Sequence, residues 1–334
     1  MSVDISAVLE ELLAFDKNAE VEKITSAIRE MLRGKVKRRG LVVAISGGID
    51  SSVSAALAVK ALGPKKVFGL LLPETDSSSK SSERGKMLAE FLGIEYLKHN
   101  IAPALDAIGC YQWRDEAIIK TFPDYGEGWK NKITIAGGTS GQINHFQLVV
   151  EDPDGNQMEK RLGLNEYLQI VAATNYKQRL RKSVEYFHAD RLNYAVVGTP
   201  NRIEYDQGFF VKNGDGSADI KPIAHLYKSQ VYALARHLGL PDDICNAVPT
   251  TDTYSLSQGQ DEFYYALPYR EMDVALWCFN HDKPPAFLAE KLGLSEEQAN
   301  YVYGDIQNKR KTTAMLHWNA LTIEKVEGPF SSPE

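Results

Sequence analysis

Residues 41–63 read LVVAISGGIDSSVSAALAVKALG, and this stretch decides the fold. LVVAIS, 41–46, is a short apolar run rich in β-branched residues and fits a strand buried on both faces. VSAALAVKALG, 53–63, fits a helix that stops at Gly63. The junction between them predicts a strand ending at Ile45 and a helix beginning near Ser51 or Ser52. Gly47 and Gly48 lack a Cβ, so backbone N–H groups there can approach an anion closely. The following helix adds its dipole and its unpaired donors. The hydroxyls of Ser46, Ser51 and Ser52 supply further donors. The turn thus has the makings of a phosphate cradle at the carboxyl end of a strand, where open α/β sheets bind ligands. It is neither a Walker A loop, since the Lys-Ser/Thr ending is missing, nor GxGxxG. Asp50 would repel a phosphate unless a cation sat between them, so it implies Mg²⁺. The plainer alternative is a Gly-Gly turn capped by Asp50 and Ser51.

The flanks extend the pattern. Two amphipathic helices are expected over residues 5–33, followed by a solvated basic turn, RGKVKRRG, 33–40. VFGLLLP, 67–73, reads as a second strand and SSERGKMLAEFLGI, 81–94, as a second helix. A third strand falls at Glu95 to Lys98 and a fourth at NYAVVGT, 193–199. Such strand–helix alternation predicts an α/β fold, a Rossmann-like parallel sheet with helices on both faces. The alternation breaks over about 111–165. There ITIAGG, 133–138, and HFQLVVEDPDGNQMEKRL, 145–162, read as strands of a small β-insertion, turning at Asp152–Gly155. Helices are expected over 166–189 and 226–238, and the last hundred residues look mostly helical. The division expected is N-terminal helices over 1–40 and one main domain over 41–327.

The 334 residues are 43% hydrophobic and 25% charged, which suits a globular protein with a sizeable core. A net charge of −6 argues against a broad nucleic-acid surface. Cys110, Cys245 and Cys278 form no CxxC pair or zinc spacing, so reduced thiols and a cytoplasmic location are expected. The N-terminus lacks the basic and apolar regions of a signal peptide, and no run approaches the ~20 apolar residues that span a bilayer, so no membrane partner is expected.

SGGIDSS, 46–52, resembles the SGGxDS signature of the PP-loop ATP pyrophosphatases, which have the adenine nucleotide alpha hydrolase-like fold and cleave ATP between the α and β phosphates. Further segments resemble NAD synthetases in order and spacing. They are NYKQRLR (175–181), GTPNRIEYDQGFFVKNGDGSADIKPIAHLYKSQV (198–231), PTTDTYSLSQGQDE (249–262), PYREMD (268–273) and NKRK (308–311). The resemblance implies Mg-ATP-driven amidation of deamido-NAD, with ammonia as the nitrogen donor. Asp50 and Glu204 match the family's metal-binding carboxylates. Ala44, Ile45, Ser46, Gly47, Gly48, Ile49, Asp50, Ser51, Ser52, Thr199, Lys228 and Thr250 match its ATP positions. Asp50, Glu204 and Lys228 would carry the catalysis. Arg179, Lys212, Asp219, Phe210, Asn308 and Lys309 fall on the deamido-NAD side, with Phe209 a second candidate for stacking on the pyridine ring and Arg181 a less specific neighbour. Lys228 opens a helix, where a cation opposes the dipole, and a contact with ATP phosphates accounts for that placement.

The family pairs as homodimers, and the same is expected here. About forty residues precede the first strand, too few for a glutaminase domain, so free ammonia or a separate ammonia-supplying subunit is expected. The chain departs from the pattern at the insertion, at VKNGDG (211–216), at Tyr264 and Tyr265, and at Asn308, where the family has a histidine. These departures leave an adenylating amide ligase for a different carboxylic acid as the alternative. A catalytically dead nucleotide-binding regulator is the third possibility, and the intact set Asp50, Thr199, Glu204 and Lys228 argues against it.

Overall fold

The computed structural model describes residues 3–136, 145–247, 254–256, 259, 264–265 and 267–324. Thr250 lies outside them. Four strands, β1 (Leu41–Ala44), β2 (Val67–Leu71), β3 (Glu95–Lys98) and β7 (Ala195–Val197), form a parallel sheet in the order β3-β2-β1-β7. The strands are shorter than the apolar runs 41–46, 67–73 and 193–199, because the residues after each strand leave the sheet at the carboxyl edge and, ahead of β7, Asn193 caps the preceding helix.

Alternation along β1 explains why both faces are covered. Leu41 and Val43 join a core with Ile24 and Ile28 of α2 (Lys17–Met31), Val53 and Leu57 of α3 (Ile49–Leu62), and Val231 of α9 (Lys228–His237). Val42 points the other way, into a core with Leu105 of α5 (Ala102–Ala107) and Ala173 and Ala189 of α7 (Leu164–Leu192). Helix α3 is buried on nearly every side, from Ile49 through Ala58. Its alanines and serines let α2, α9 and the sheet approach closely, so it needs no single apolar stripe.

α1 (Ile5–Leu13) packs on a satellite core made by α11 (Tyr269–Asn280), α12 (Pro285–Leu292) and α13 (Glu296–His317). The basic run after α2 is solvated, with Lys37 in the left-handed region at φ 53°. Where the sequence suggested a small β-insertion, β4 (Lys130–Ala136), β5 (His145–Glu151) and β6 (Gln157–Arg161) form a three-stranded antiparallel sheet. Its inner face, Ile133, Leu148 and Val150, packs with Ala117 and Ile118 of α6 (Cys110–Thr121) and Ile170 of α7, whereas β6 is exposed throughout. No helix among the described residues is long and apolar enough to cross a membrane.

Candidate active site

A cavity of about 640 Å³ opens at the carboxyl edge of the parallel sheet. The turn after β1 forms part of its wall through Ala44, Ile45, Ser46, Gly48, Ile49, Asp50 and Ser51. Gly47 sits at φ +79°, and a Cβ there would lie 2.3 Å from the carbonyl oxygen of Ser81, so the turn admits no side chain at this point. The helix begins at Ile49, two to three residues before the start expected from the sequence, with Gly48 as its cap. Asp50 is therefore in the first turn, where the dipole favours its charge.

The three serines hold the turn together. Ser46 and Ser51 hydroxyls lie 3.0 Å apart, Ser46 Oγ accepts from the Gly48 N–H at 3.2 Å, and Ser52 Oγ donates to the Gly48 carbonyl at 2.7 Å. Ser52 is fully buried and does not line the cavity. Its hydroxyl stabilises the turn.

Three elements far apart in sequence bring the charged residues together. Lys228, first residue of α9, is buried and forms a short ion pair with Asp50, and its Nζ lies 3.8 Å from Glu204 Oε1. Burial works against the ammonium, yet the Asp50 and Glu204 carboxylates overcome it and hold the Lys228 pKa above its usual value. Glu204 belongs to α8 (Arg202–Gln207), capped by Asn201 in a reciprocal box: Asn201 Oδ1 accepts from the Ile203 and Glu204 N–H groups, and Glu204 Oε2 accepts from the Asn201 N–H. The other end of the Asn201 amide donates to Asp50 Oδ1 at 3.0 Å. Asn201 thus fixes both carboxylates. Thr199 and Pro200, after β7, complete this side of the cavity.

Asp273, on α11, answers the question of how a lysine can open a helix. Its carboxyl accepts from the Lys228 N–H at 3.1 Å and the Ser229 N–H at 2.7 Å, capping the first turn of α9. Burial raises the Asp273 pKa to about 7 against the pull of these bonds. Asn201 and Asp273 lie in segments quoted for the resemblance; the Asn201-x-x-Glu204 spacing could have marked the helix start, but nothing local marks the contact of Asn201 with Asp50 or the cap that Asp273 provides.

Of the acceptor-side residues, Phe210 and Lys309 line the cavity, as do Phe209 and Arg181. Phe209 packs against Tyr264, with ring centroids 4.6 Å apart, and Phe210 stacks on Tyr205 at 6.3 Å. Lys309 Nζ donates to Asp305 and to the Tyr264 carbonyl, both at 2.6 Å, and burial lowers its pKa against the pull of Asp305. Arg179, Lys212, Asp219 and Asn308 do not line the cavity. Arg179 is exposed and donates to the Lys212 carbonyl. Lys212 Nζ caps the end of α13 through the Met315 and Trp318 carbonyls. Asp219 accepts from the Val196 N–H on β7 at 2.8 Å. Asn308 points its exposed side chain away from the core. A second buried pair, Lys182–Glu185 at 2.7 Å on α7, also lines the cavity and carries no sequence signal beyond its i,i+3 spacing.

A family model described as NAD synthase matches residues 20–121 and 142–313. The NH(3)-dependent NAD(+) synthetase of Rhizobium meliloti (strain 1021) is 54% identical over 316 residues, 94% of each chain. Among solved structures, the NMN synthetase of Francisella tularensis superposes with a TM-score of 0.63 at 24% identity, covering 92% of this chain and 99% of that one. The NH3-dependent NAD synthetase of Campylobacter jejuni superposes with a TM-score of 0.60 at 24% identity, covering 93% and 100%. The two structures establish the fold. The family match over most of the chain, with a relative this similar over nearly its whole length, establishes more: the chain belongs to the NAD synthase family.

Proposed function

We infer that this chain is an ammonia-dependent NAD synthetase, which uses ATP to convert the nicotinate carboxylate of deamido-NAD into its amide, with AMP and pyrophosphate as products. The observation that carries the reading is the buried Lys228 ammonium set between Asp50 and Glu204 beside the glycine turn, in a chain 54% identical to an NH(3)-dependent NAD(+) synthetase. Amidation of a different acid is not favoured by a relative of that similarity.

A carboxylate is a poor acyl donor at neutral pH. One of its oxygens attacks the α-phosphorus of ATP, the bond from that phosphorus to the β-bridging oxygen breaks, and pyrophosphate leaves. Ammonia then adds through its lone pair to the acyl carbon. The bond to the AMP oxygen breaks, and the nitrogen gives up a proton. Negative charge builds first on phosphate oxygens and then on a carbonyl oxygen, so fixed donors and alignment matter more than a covalent nucleophile.

In this reading the turn at 44–52 receives the phosphates through its N–H groups, Thr199 adds a hydroxyl, and Lys228 stabilises the developing charge. Two carboxylates completed by phosphate oxygens are a usual Mg²⁺ donor set. Asp50 and Glu204, already gathered around one cation, fit it. Bound there, Mg²⁺ would neutralise charge on the leaving pyrophosphate. Phe210 and Lys309 serve the acceptor side. The enzyme works in the cytoplasm as a homodimer; the exposed Leu164, Leu168, Tyr176 and Phe187 of α7 support the pairing. Arg179, Lys212, Asp219 and Asn308 then meet the dinucleotide near the subunit boundary. Ammonia arrives free or from a separate subunit.

The test is an assay with deamido-NAD, ATP, Mg²⁺ and ammonium. NAD, AMP and pyrophosphate should appear in equal amounts. Formation of AMP and pyrophosphate only with another carboxylic acid would overturn the reading.

A further inference from the structure

The family match breaks off at Thr121 and resumes at residue 142, yet β4 falls inside that gap and lines the cavity through Ile135. The same strand holds a distant segment. The Asn131 N–H donates to Ser255 Oγ at 2.8 Å, its side-chain amide donates to the same oxygen at 3.3 Å, and the Leu256 N–H donates to the Asn131 carbonyl at 3.1 Å. Tyr125 OH accepts from the Asn131 amide at 2.8 Å and fixes its orientation. Tyr254, next along the chain, is thereby buried against Ile133 and Ile170 and lines the cavity. Beside it Phe146 of β5 stacks on Tyr167 of α7, with centroids 4.0 Å apart and planes at 16°, and both rings face the cavity.

A surface elaboration would leave the cavity wall to other elements and put an apolar residue at the buried position 131. Asn131 is 1% exposed, and its Oδ1 has no partner among the described residues, a cost that a valine there would avoid. We propose that β4, with the antiparallel sheet it joins, is part of the substrate site, and that Asn131 and Ser255 are positioning residues that set Tyr254 into the cavity wall. The identity of the substrates rests on the NAD synthetase reading, but the bridge itself does not.

Ser255→Ala removes the acceptor of both Asn131 donors, Ser255→Thr keeps a hydroxyl, and Lys130→Ala, on an exposed neighbour, serves as control. Dissociation constants for an ATP analogue and for deamido-NAD are measured by calorimetry, with KM, kcat and Tm alongside. Ser255→Ala should weaken binding of at least one substrate about fivefold and raise its KM in step, on the scale of one lost hydrogen bond. Ser255→Thr should restore it and Lys130→Ala should leave it unchanged. Binding and KM within twofold of wild type for both substrates in Ser255→Ala would overturn the proposal, whatever Tm does. A wild-type protein that makes no NAD would overturn the functional reading instead, while the analogue still reports on the bridge.

Discussion

Asp273 caps the helix that Lys228 begins, through the N–H groups of Lys228 and Ser229, and it does so while fully buried. The carboxyl has a folded pKa of about 7, raised chiefly by burial, against an ordinary value of 3.8. Between those values the folded chain carries a proton that the unfolded chain has released. Stability from this group is therefore present at low pH and lost as pH rises from about 4 to 7. The whole window corresponds to roughly 4 kcal/mol at 1.36 kcal/mol per pH unit. Asp273→Asn should remove this slope. Urea denaturation of both proteins across pH 4–8 checks it, and parallel curves would refute the titration.

Asp50→Asn and Glu204→Gln should each leave the fold intact and nearly abolish pyrophosphate release, because one proposed Mg²⁺ ligand loses its charge. Near-normal turnover of both variants at limiting Mg²⁺ would remove the metal assignment.

Lys228→Ala should act twice. It removes a cation facing the proposed phosphates, a loss of ~3–4 kcal/mol in transition-state stabilisation, by comparison with oxyanion donors. It also leaves Asp50 and Glu204 facing each other without their shared cation, as when a buried pair is broken at ~3–5 kcal/mol. Turnover and urea midpoint should fall together. A lower midpoint with intact turnover would make Lys228 purely structural.

Gly47→Ala should strain the turn, because φ is +79° and the new Cβ would lie 2.3 Å from the Ser81 carbonyl. A left-handed backbone alone costs about 1–2 kcal/mol for a residue with a Cβ. Weaker binding of an ATP analogue and a lower urea midpoint are expected, and unchanged values of both would show that the turn yields freely.

Ser54→Ala should be neutral or stabilising by up to about 1 kcal/mol. Ser54 is fully buried on α3 and its hydroxyl has no partner among the described residues. A clear loss of stability in denaturation would mean that the hydroxyl is bonded in solution.

Local patterns were readable where physics acts over a few residues. The β-branched run at 41–44, the glycine turn and the helix stop at Gly63 each follow from neighbours in sequence, as does the Asp152–Gly155 hairpin turn. The meeting of Asp50 with Glu204 and Lys228 was reachable because all three follow the carboxyl ends of strands or open a helix beside them. The Asn201-x-x-Glu204 spacing is a local capping signature, but the hold of Asn201 on Asp50 and the cap that Asp273 places on α9 depend on partners up to 151 residues away, which no local spacing encodes. The same holds for the buried network in which Asp76, after β2, pairs with Lys177 of α7 and with Arg114 of α6 at 2.7 Å. Lys212 and Asp219 were singled out by the family resemblance alone, and the backbone groups that each bonds on a neighbouring element could not be read from their own segment.

The encasement of α3 has a further consequence. Residues 51–58 are buried among the sheet and the flanking helices, so their amide hydrogens can reach solvent only when the main core opens. The glycine turn is continuous with that helix and cannot melt separately. A nucleotide held there would therefore be felt throughout the core by mass action, as slower hydrogen exchange in β1, β2 and α9 and not only at the turn.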